Sequence, residues 1–326
     1  MIIGAHESVA GGLHNAFRFA DEDGCHALQV FTKNSNQWKE PEATPDLVAR
    51  FREARALSPA GSSRLLAHDS YLINLCALDP AARERSRVAL LSEALRCEAY
   101  GIEHVVLHPG AHMGVGIDAG VALAVEALSW VLESTRGAKV SLLVENTAGQ
   151  GSTIASRFEE VGAILRGCSE VAGSEAEARL GVCLDTCHAF AAGYDLANEK
   201  GFDAAWADFQ THVGVARLRA MHLNDALKGV GSHLDRHARI GEGALGLYPF
   251  HRLVNDPALA DVPSVLETPP DEDDRAYARQ IEALRAFVGK KLPPPPPPAF
   301  SLAAPEPERK ASPAKKRALP ARSRSK

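Results

Sequence analysis

The sequence predicts a single (β/α)8 TIM barrel, and three observations carry that prediction. Eight short apolar runs recur along the chain, and nearly every one stops at a residue able to hold a metal ion or meet a polar substrate. Segments of helical periodicity separate the runs, and proline and glycine stand where those helices can start and stop. Continuous apolar runs joined by helical crossovers mark parallel strands buried on both faces. Eight of them close a barrel of roughly 250 residues whose active site lies at the carboxyl ends of the strands.

In chain order, Ile2-Ile3 ends at His6, and Ala27-Leu28-Gln29-Val30-Phe31 ends at Thr32-Lys33. Leu65-Leu66-Ala67 ends at His68, Val105-Val106-Leu107 at His108, and Leu142-Leu143-Val144 at Glu145. Val182-Cys183-Leu184 ends at Asp185, the run from Leu218 to Met221 at His222, and Val265-Leu266 at Glu267. Helical periodicity covers residues 45–57, 81–100, 119–135, 154–165, 202–213 and 274–288. Pro45 and Pro80 stand at starts, where the missing N–H costs nothing, and Gly101, Gly137 and Gly167 at stops. No repeat exists beyond this alternation.

Of the 326 residues, 45% are hydrophobic and 24% charged, the composition of a globular protein with a sizeable core. No apolar stretch approaches the roughly 20 residues that span a bilayer, and the chain opens as a strand without a charged leader. The expectation is a cytoplasmic monomer, nucleoid-associated if it acts on DNA. The six cysteines form no C-x-x-C pair, so they read as free, mostly buried thiols rather than zinc ligands.

Charge divides the chain. Residues 290–326 hold 10 Lys and Arg against Glu306 and Glu308, whereas the remainder holds 26 against 39 acidic residues. The same terminal stretch contains 10 of the 20 prolines, six of them consecutive at 293–298. Such a segment cannot build a packed core. We therefore expect a barrel over 1–288 and, over 289–326, a stiff Pro-rich linker with a disordered basic arm. The arm is either a contact for polyanions or a solvated extension.

A single histidine at a strand end is most often a core or rim residue. Six consecutive strands ending in His68, His108, Glu145, Asp185, His222 and Glu267 make a set of imidazole and carboxylate groups at one end of the barrel. Mixed N/O sets suit Zn2+, Mn2+ or Fe2+ better than Mg2+ or Ca2+. Loops add His188, three residues after Asp185, and the pair Asp235 and His237, whose i, i+2 spacing in extended chain puts both on one side. Five histidines and four carboxylates exceed the need of one tetrahedral ion; with bridging they are enough for three. Three divalent ions against four carboxylates leave about +2, attractive to a phosphate.

These residues stand in local settings that resemble the endonuclease IV family. They are His68-Asp69-Ser70-Tyr71-Leu72-Ile73-Asn74-Leu75, His108-Pro109-Gly110, Glu145-Asn146-Thr147-Ala148-Gly149-Gln150-Gly151 and the stretch from Asp185-Thr186-Cys187-His188 to Asp195. His222-Leu223-Asn224-Asp225, Asp235-Arg236-His237, Gly241-Glu242-Gly243 and Leu266-Glu267-Thr268 follow in order, so the likeness runs from Gly4 to about Val288. It implies a DNA-repair nuclease that acts on double-stranded DNA with three Zn2+ per chain. The enzyme hydrolyses the phosphodiester 5′ to an abasic site, leaving a 3′-hydroxyl and a 5′-deoxyribose phosphate.

By the same resemblance His68, His108 and Glu145 hold one zinc, and Glu145, Asp185, His222 and Glu267 a second. His188, Asp235 and His237 hold the third, which stabilises the leaving 3′ oxygen. Glu145 is then the catalytic bridge, and a hydroxide bound between the first two ions the nucleophile. Lys33, Asn36 and Tyr71 are the candidate DNA contacts, on loops that enter the minor groove where the abasic nucleotide leaves the stack. Asn36 stands where the family carries arginine. His6, His112, His233, Lys33 and Asn224 read as supports or rim, and histidines 14, 26, 104, 212 and 251 as structural or surface. The glycines at 229–231 and 241–246 read as turns bringing Asp235 and His237 over the metals.

Two other readings compete. A metal-dependent sugar isomerase or epimerase also hangs Glu, Asp and His on barrel strands, but leaves His188, Asp235 and His237 without a purpose. A damage-recognition protein without turnover would not need the complete ligand set.

Overall fold

The computed structural model describes residues 1–269 and 276–291. The Pro-rich stretch and basic arm, apart from residues 289–291, lie outside the described residues. Eight parallel strands close a barrel: β1 (Ile2–His6), β2 (Ala27–Val30), β3 (Arg64–His68), β4 (His104–Leu107), β5 (Ser141–Glu145), β6 (Leu180–Asp185), β7 (Leu218–His222) and β10 (Pro263–Leu266). Closure comes from β1, which pairs with both β2 and β10. Between β7 and β10 a two-residue antiparallel ladder joins β8 (Asp225–Ala226) to β9 (His237–Ala238). The predicted (β/α)8 barrel is what forms.

Ten helices accompany the strands among the described residues: α1 (Ala16–Asp23), α2 (Pro45–Leu57), α3 (Pro80–Tyr100), α4 (Ile117–Ser134), α5 (Phe158–Ala172), α6 (Ser174–Arg179), α7 (Thr186–Ala191), α8 (Glu199–His212), α9 (Tyr248–Val254) and α10 (Ala276–Ala286). Caps set several boundaries. Thr44 accepts from the Leu47 N–H ahead of Pro45, and Asp79 accepts from Ala81 and Ala82 ahead of Pro80, satisfying donors that have no partner within the helix. Gly101 ends α3 at φ 74°, a left-handed turn that glycine adopts without steric cost.

Gly167 does not stop its helix; α5 continues to Ala172. A Cβ at 167 would come within 2.7 Å of Val125 Cγ2, so glycine there serves close packing of α5 on α4. The start of α5 is also later than periodicity predicted. Ile154 is engaged in a backbone bond to Gly110, and the chain turns at Ser156, whose N–H is taken by Glu160 at 3.0 Å. The short α6, α7 and α9 have too few turns to show a periodic pattern, whereas α1 buries Ala16, Phe17 and Ala20 on one face.

The barrel is solid. Ala27, Leu66, Val106, Leu143, Cys183, Ala220 and Val265, one from each of seven strands, pack as a fully buried ring with Ile2 against them. Truncating a residue of this kind to alanine costs about 2–5 kcal/mol. All six cysteines are buried and free. Among the described residues no helix is long and apolar enough to cross a membrane.

Just past β1, Glu7 is buried, with the Cys25 thiol donating to its Oε1 at 3.5 Å. Burial, seconded by the nearby Asp23 carboxylate, pushes its carboxyl up to about 8. A folded-state value above the unfolded one makes a contribution that is complete at pH below the ordinary carboxyl range and lost as pH rises through about 8. Glu7→Gln should therefore match the parent below about pH 4.5 and exceed it increasingly from there to about pH 8, levelling off above, by a few kcal/mol at most. Denaturant melts across that range measure it; parallel curves for the two proteins would show Glu7 ionised in the fold.

Candidate metal centre

The ligand-type residues form a layer directly above the apolar ring. His68 stands two residues after Leu66, His108 after Val106, Glu145 after Leu143, Asp185 after Cys183, His222 after Ala220 and Glu267 after Val265. Residues i and i+2 of a strand share a face, so each of these side chains enters the barrel mouth over its apolar predecessor. Glu145, fully buried, is the centre. Its Oε2 lies 3.2 Å from His68 Nε2 and 3.0 Å from His108 Nε2. Its Oε1 lies 2.8 Å from His222 Nδ1 and 3.2 Å from His188 Nδ1.

Three groups have ligand atoms all within 4.8 Å of one another: His68 with His108 and Glu145; Glu145 with Asp185, His222 and Glu267; and Asp185 with His188 and His237. Asp235 Oδ1 joins the last group, 3.3 Å from Nε2 of both His188 and His237. Contrary to the loop expected there, His188 is on a helix. Asp185 caps α7 by accepting from the His188 N–H at 2.7 Å, which brings the two side chains back over the same layer.

The imidazoles are oriented from behind. Nδ1 of His68 meets Asp69 O at 3.0 Å, that of His188 meets Asn146 O at 2.9 Å, and that of His237 meets Glu267 O at 3.1 Å. A carbonyl only accepts, so in the neutral ring the proton is on Nδ1 and the Nε2 lone pair faces the layer. Nε2 of His108, His188 and His237 is buried without a hydrogen-bond partner, although His108 Nε2 is 3.0 Å from a carboxylate oxygen. Buried acceptors converging on carboxylates outside hydrogen-bond geometry are what a divalent cation with N/O preference requires. The residues therefore fit zinc-type ions.

Among the supports, Asn224 is read from the sequence, whereas Asn146 and Asp225 are not. Asn224, expected to border the ligands, donates to Asp185 Oδ2 at 2.7 Å and accepts from the Glu267 N–H at 2.8 Å. Asn146 exchanges both bonds with the Asp185 backbone. Asp225 accepts from the N–H groups of Gly241, Gly243 and Leu245, and Gly231 and His233 bond to Phe190 and Ala191. These contacts hold the loops on either side of Asp235 and His237. Gln29 does carry a signal, being an amide inside a strand otherwise apolar and buried.

The candidate DNA contacts separate. Lys33 is turned inward: its side chain is 4% exposed, and its amino group bonds Glu40 at 2.6 Å and Gln37 O at 2.8 Å. It is a strut of its loop rather than a free cation. Asn36 is exposed. Tyr71 is 58% exposed, its ring 5.5 Å from both Phe31 and His68. Of the supporting histidines, His6 Nδ1 lies 3.1 Å from Glu267 Oε1, His112 accepts from Gly114 and Gly116, and His233 sits at φ 52° against Ala148 O.

Burial works against charge here; at His6 and Asp69 it prevails, whereas at His68, His188, His222, Glu145, Asp235 and Glu267 the opposite charges outweigh it. Despite burial, the Glu145 carboxylate carries His68 up to about 9. His188 is raised in the same way by Asp185, Asp235 and Glu145, and His222 by neighbouring Cys183, Glu267 and Glu145, while imidazoles hold Glu145 low and Asp235 down at about 2. Without metal the carboxylates are thus balanced by protons on imidazole, and a cation must displace them. Zinc added to metal-stripped protein at about pH 7 should release protons, and its affinity should climb with pH up to about 9. Titration calorimetry in buffers of different ionisation heat reads this directly; a heat independent of buffer would contradict it.

Comparison with known proteins places this geometry. The family model described as a xylose isomerase-like TIM barrel matches residues 17–287. The "Probable endonuclease 4" of Geobacter sp. (strain M21) is 42% identical over 287 residues, covering 88% of this chain and 99% of the relative. The crystal structure of endonuclease IV from Thermus thermophilus superposes with a TM-score of 0.74 at 34% identity, over 88% of this chain and 98% of that one. A D-tagatose 3-epimerase-like protein, 16% identical with a TM-score of 0.65 over 88% of this chain and 97% of its own, shares the fold alone. With its whole barrel matched at this identity, the chain belongs to the endonuclease IV family of the xylose isomerase-like TIM barrels.

Proposed function

We propose that this protein is a zinc-dependent DNA-repair endonuclease that hydrolyses the phosphodiester 5′ to abasic sites in double-stranded DNA, leaving a 3′-hydroxyl and a 5′-deoxyribose phosphate. The observation that carries the proposal is Glu145, whose two carboxylate oxygens face two different groups of imidazoles from the floor of the barrel mouth. His68, His108 and Glu145 would hold one ion, and Glu145, Asp185, His222 and Glu267 a second. His188, His237 and Asp235 would hold the third, with Asp185 close by. Such ions supply an activated water and neutralise charge on a phosphoryl group.

The protein's own contribution is placement. The apolar ring closes the mouth from below, so a phosphodiester can approach only from the loop face. Tyr71 and Asn36 lie on that face and would border the DNA. No side-chain nucleophile is required, and the nearest thiol argues against one: burial pushes Cys183 up to about 12, where it is neither nucleophile nor ligand. An isomerase reading needs one or two ions and a proton-transferring base, and leaves the cluster of His188, Asp235 and His237 unused.

Glu145→Gln keeps the shape and removes the charge that balances two groups of ligands. Incision of a duplex carrying a single abasic analogue should fall by several orders of magnitude while the circular dichroism spectrum stays that of the parent. Near-normal cleavage by the variant would remove Glu145 from its bridging role, and a parent that leaves the abasic duplex intact when loaded with zinc would remove the function.

A further inference from the structure

Gln29 is the β2 member of the polar layer. It stands two residues beyond Ala27 of the apolar ring, as the ligand-type residues stand beyond theirs, and it is fully buried. Its amide joins two groups assigned to one ion. The nitrogen donates to Glu267 Oε1 at 2.6 Å and has His6 Nδ1 at 3.0 Å. The oxygen lies 2.9 Å from His222 Nε2.

This orientation of the amide is forced. A carboxylate offers only acceptors, so the group facing Glu267 must be the NH2. The oxygen then faces His222 and can only accept, which puts a proton on His222 Nε2. In the neutral ring the lone pair is consequently on Nδ1, the atom that lies 2.8 Å from Glu145 Oε1, 3.2 Å from Glu267 Oε2 and 3.8 Å from Asp185 Oδ2. The polarity is the reverse of His68, His188 and His237, whose Nδ1 atoms are held by backbone carbonyls. At His222 a side chain from the far side of the barrel does that work.

We propose that Gln29 is a positioning residue for the ion held by Glu145, Asp185, His222 and Glu267. It fixes His222 as an Nδ1 ligand and, by engaging Glu267 Oε1, turns Oε2 toward the same point. The proposal rests on the reading of His222 and Glu267 as ligands and adds what selects their ligating atoms. Loss of an orienting partner of this kind weakens metal affinity by about 10- to 100-fold, and the effect here is confined to one of the ions.

Gln29→Met keeps the length and removes both hydrogen bonds. Gln29→Glu keeps an acceptor toward His222 and sets a carboxylate against Glu267. Full-length parent and variants are loaded with Zn2+, equilibrated against graded concentrations of a chelator, and assayed for zinc per chain. Nitrogen-15 NMR of the histidine rings reports which nitrogen of His222 is protonated, and circular dichroism confirms the fold. The expected result is that one ion per chain leaves each folded variant at about 10- to 100-fold lower chelator strength than in the parent, the other ions unchanged. His222 should lose its single Nε2–H form in Gln29→Met and keep it in Gln29→Glu. A folded variant that retains zinc as the parent does, with the His222 proton still on Nε2 in Gln29→Met, overturns the proposal and leaves the ligand reading standing. A His222→Ala control that loses no ion removes the ligand reading and the proposal together.

Discussion

Everything at the mouth of this barrel depends on one constraint, the two-residue alternation of strands whose lower interior positions are already filled. Because Leu66, Val106, Leu143, Cys183, Ala220 and Val265 pack as one buried layer, the residues two positions on have no freedom of level: they must meet one another at the carboxyl ends. A register slip of one residue in any strand would point its ligand into the helical shell and an apolar side chain into the mouth. The parallel ladders that hold register are therefore as much part of the metal centre as the imidazoles.

Burying such a layer is unfavourable, and the surroundings show what offsets it. Isolated charges in an apolar interior are disfavoured by many kcal/mol. Here each imidazole faces a carboxylate, and most remaining polar atoms have a dedicated partner. Asn224 and Asn146 bind Asp185, Asp69 O and Asn146 O orient two histidines, and Gln29 ties β7 to β10. Left without a partner around the ligands are Nε2 of His6, His108, His188 and His237 and Oδ2 of Asp69. That three of these are imidazole nitrogens aimed at carboxylates is the structural mark of a cation site, and it falls on one residue nominated by its strand end, His108, and on two nominated by the loops, His188 and His237.

The barrel and the six ligand-type residues at strand ends were legible in the sequence because both follow from short-range rules: continuous apolar runs, a period of two, and chemistry at run ends; His188, Asp235 and His237 were nominated by loop spacing and by the family resemblance. What was not legible depends on three dimensions. Lys33 looks like a free cation in a polar loop, but the fold supplies Glu40 seven residues on and turns it inward. Gly167 looks like a helix stop until Val125 of the neighbouring helix is in place. His188 looks like a loop residue because the single-turn capping of α7 by Asp185 has no periodic signature. Gln29 passes for a tolerated polar residue in an apolar strand until His222 and Glu267 arrive from strands 193 and 238 residues away.

The central claim is that the polar layer is one polynuclear centre rather than a network of protein ion pairs. Anomalous scattering at the zinc edge from crystals of the zinc-loaded full-length chain tests it most directly. Three peaks are expected: one among His68, His108 and Glu145; one among Glu145, Asp185, His222 and Glu267; and one against His188, Asp235 and His237. A single peak, with His188, Asp235 and His237 bound only to one another, would contradict the claim.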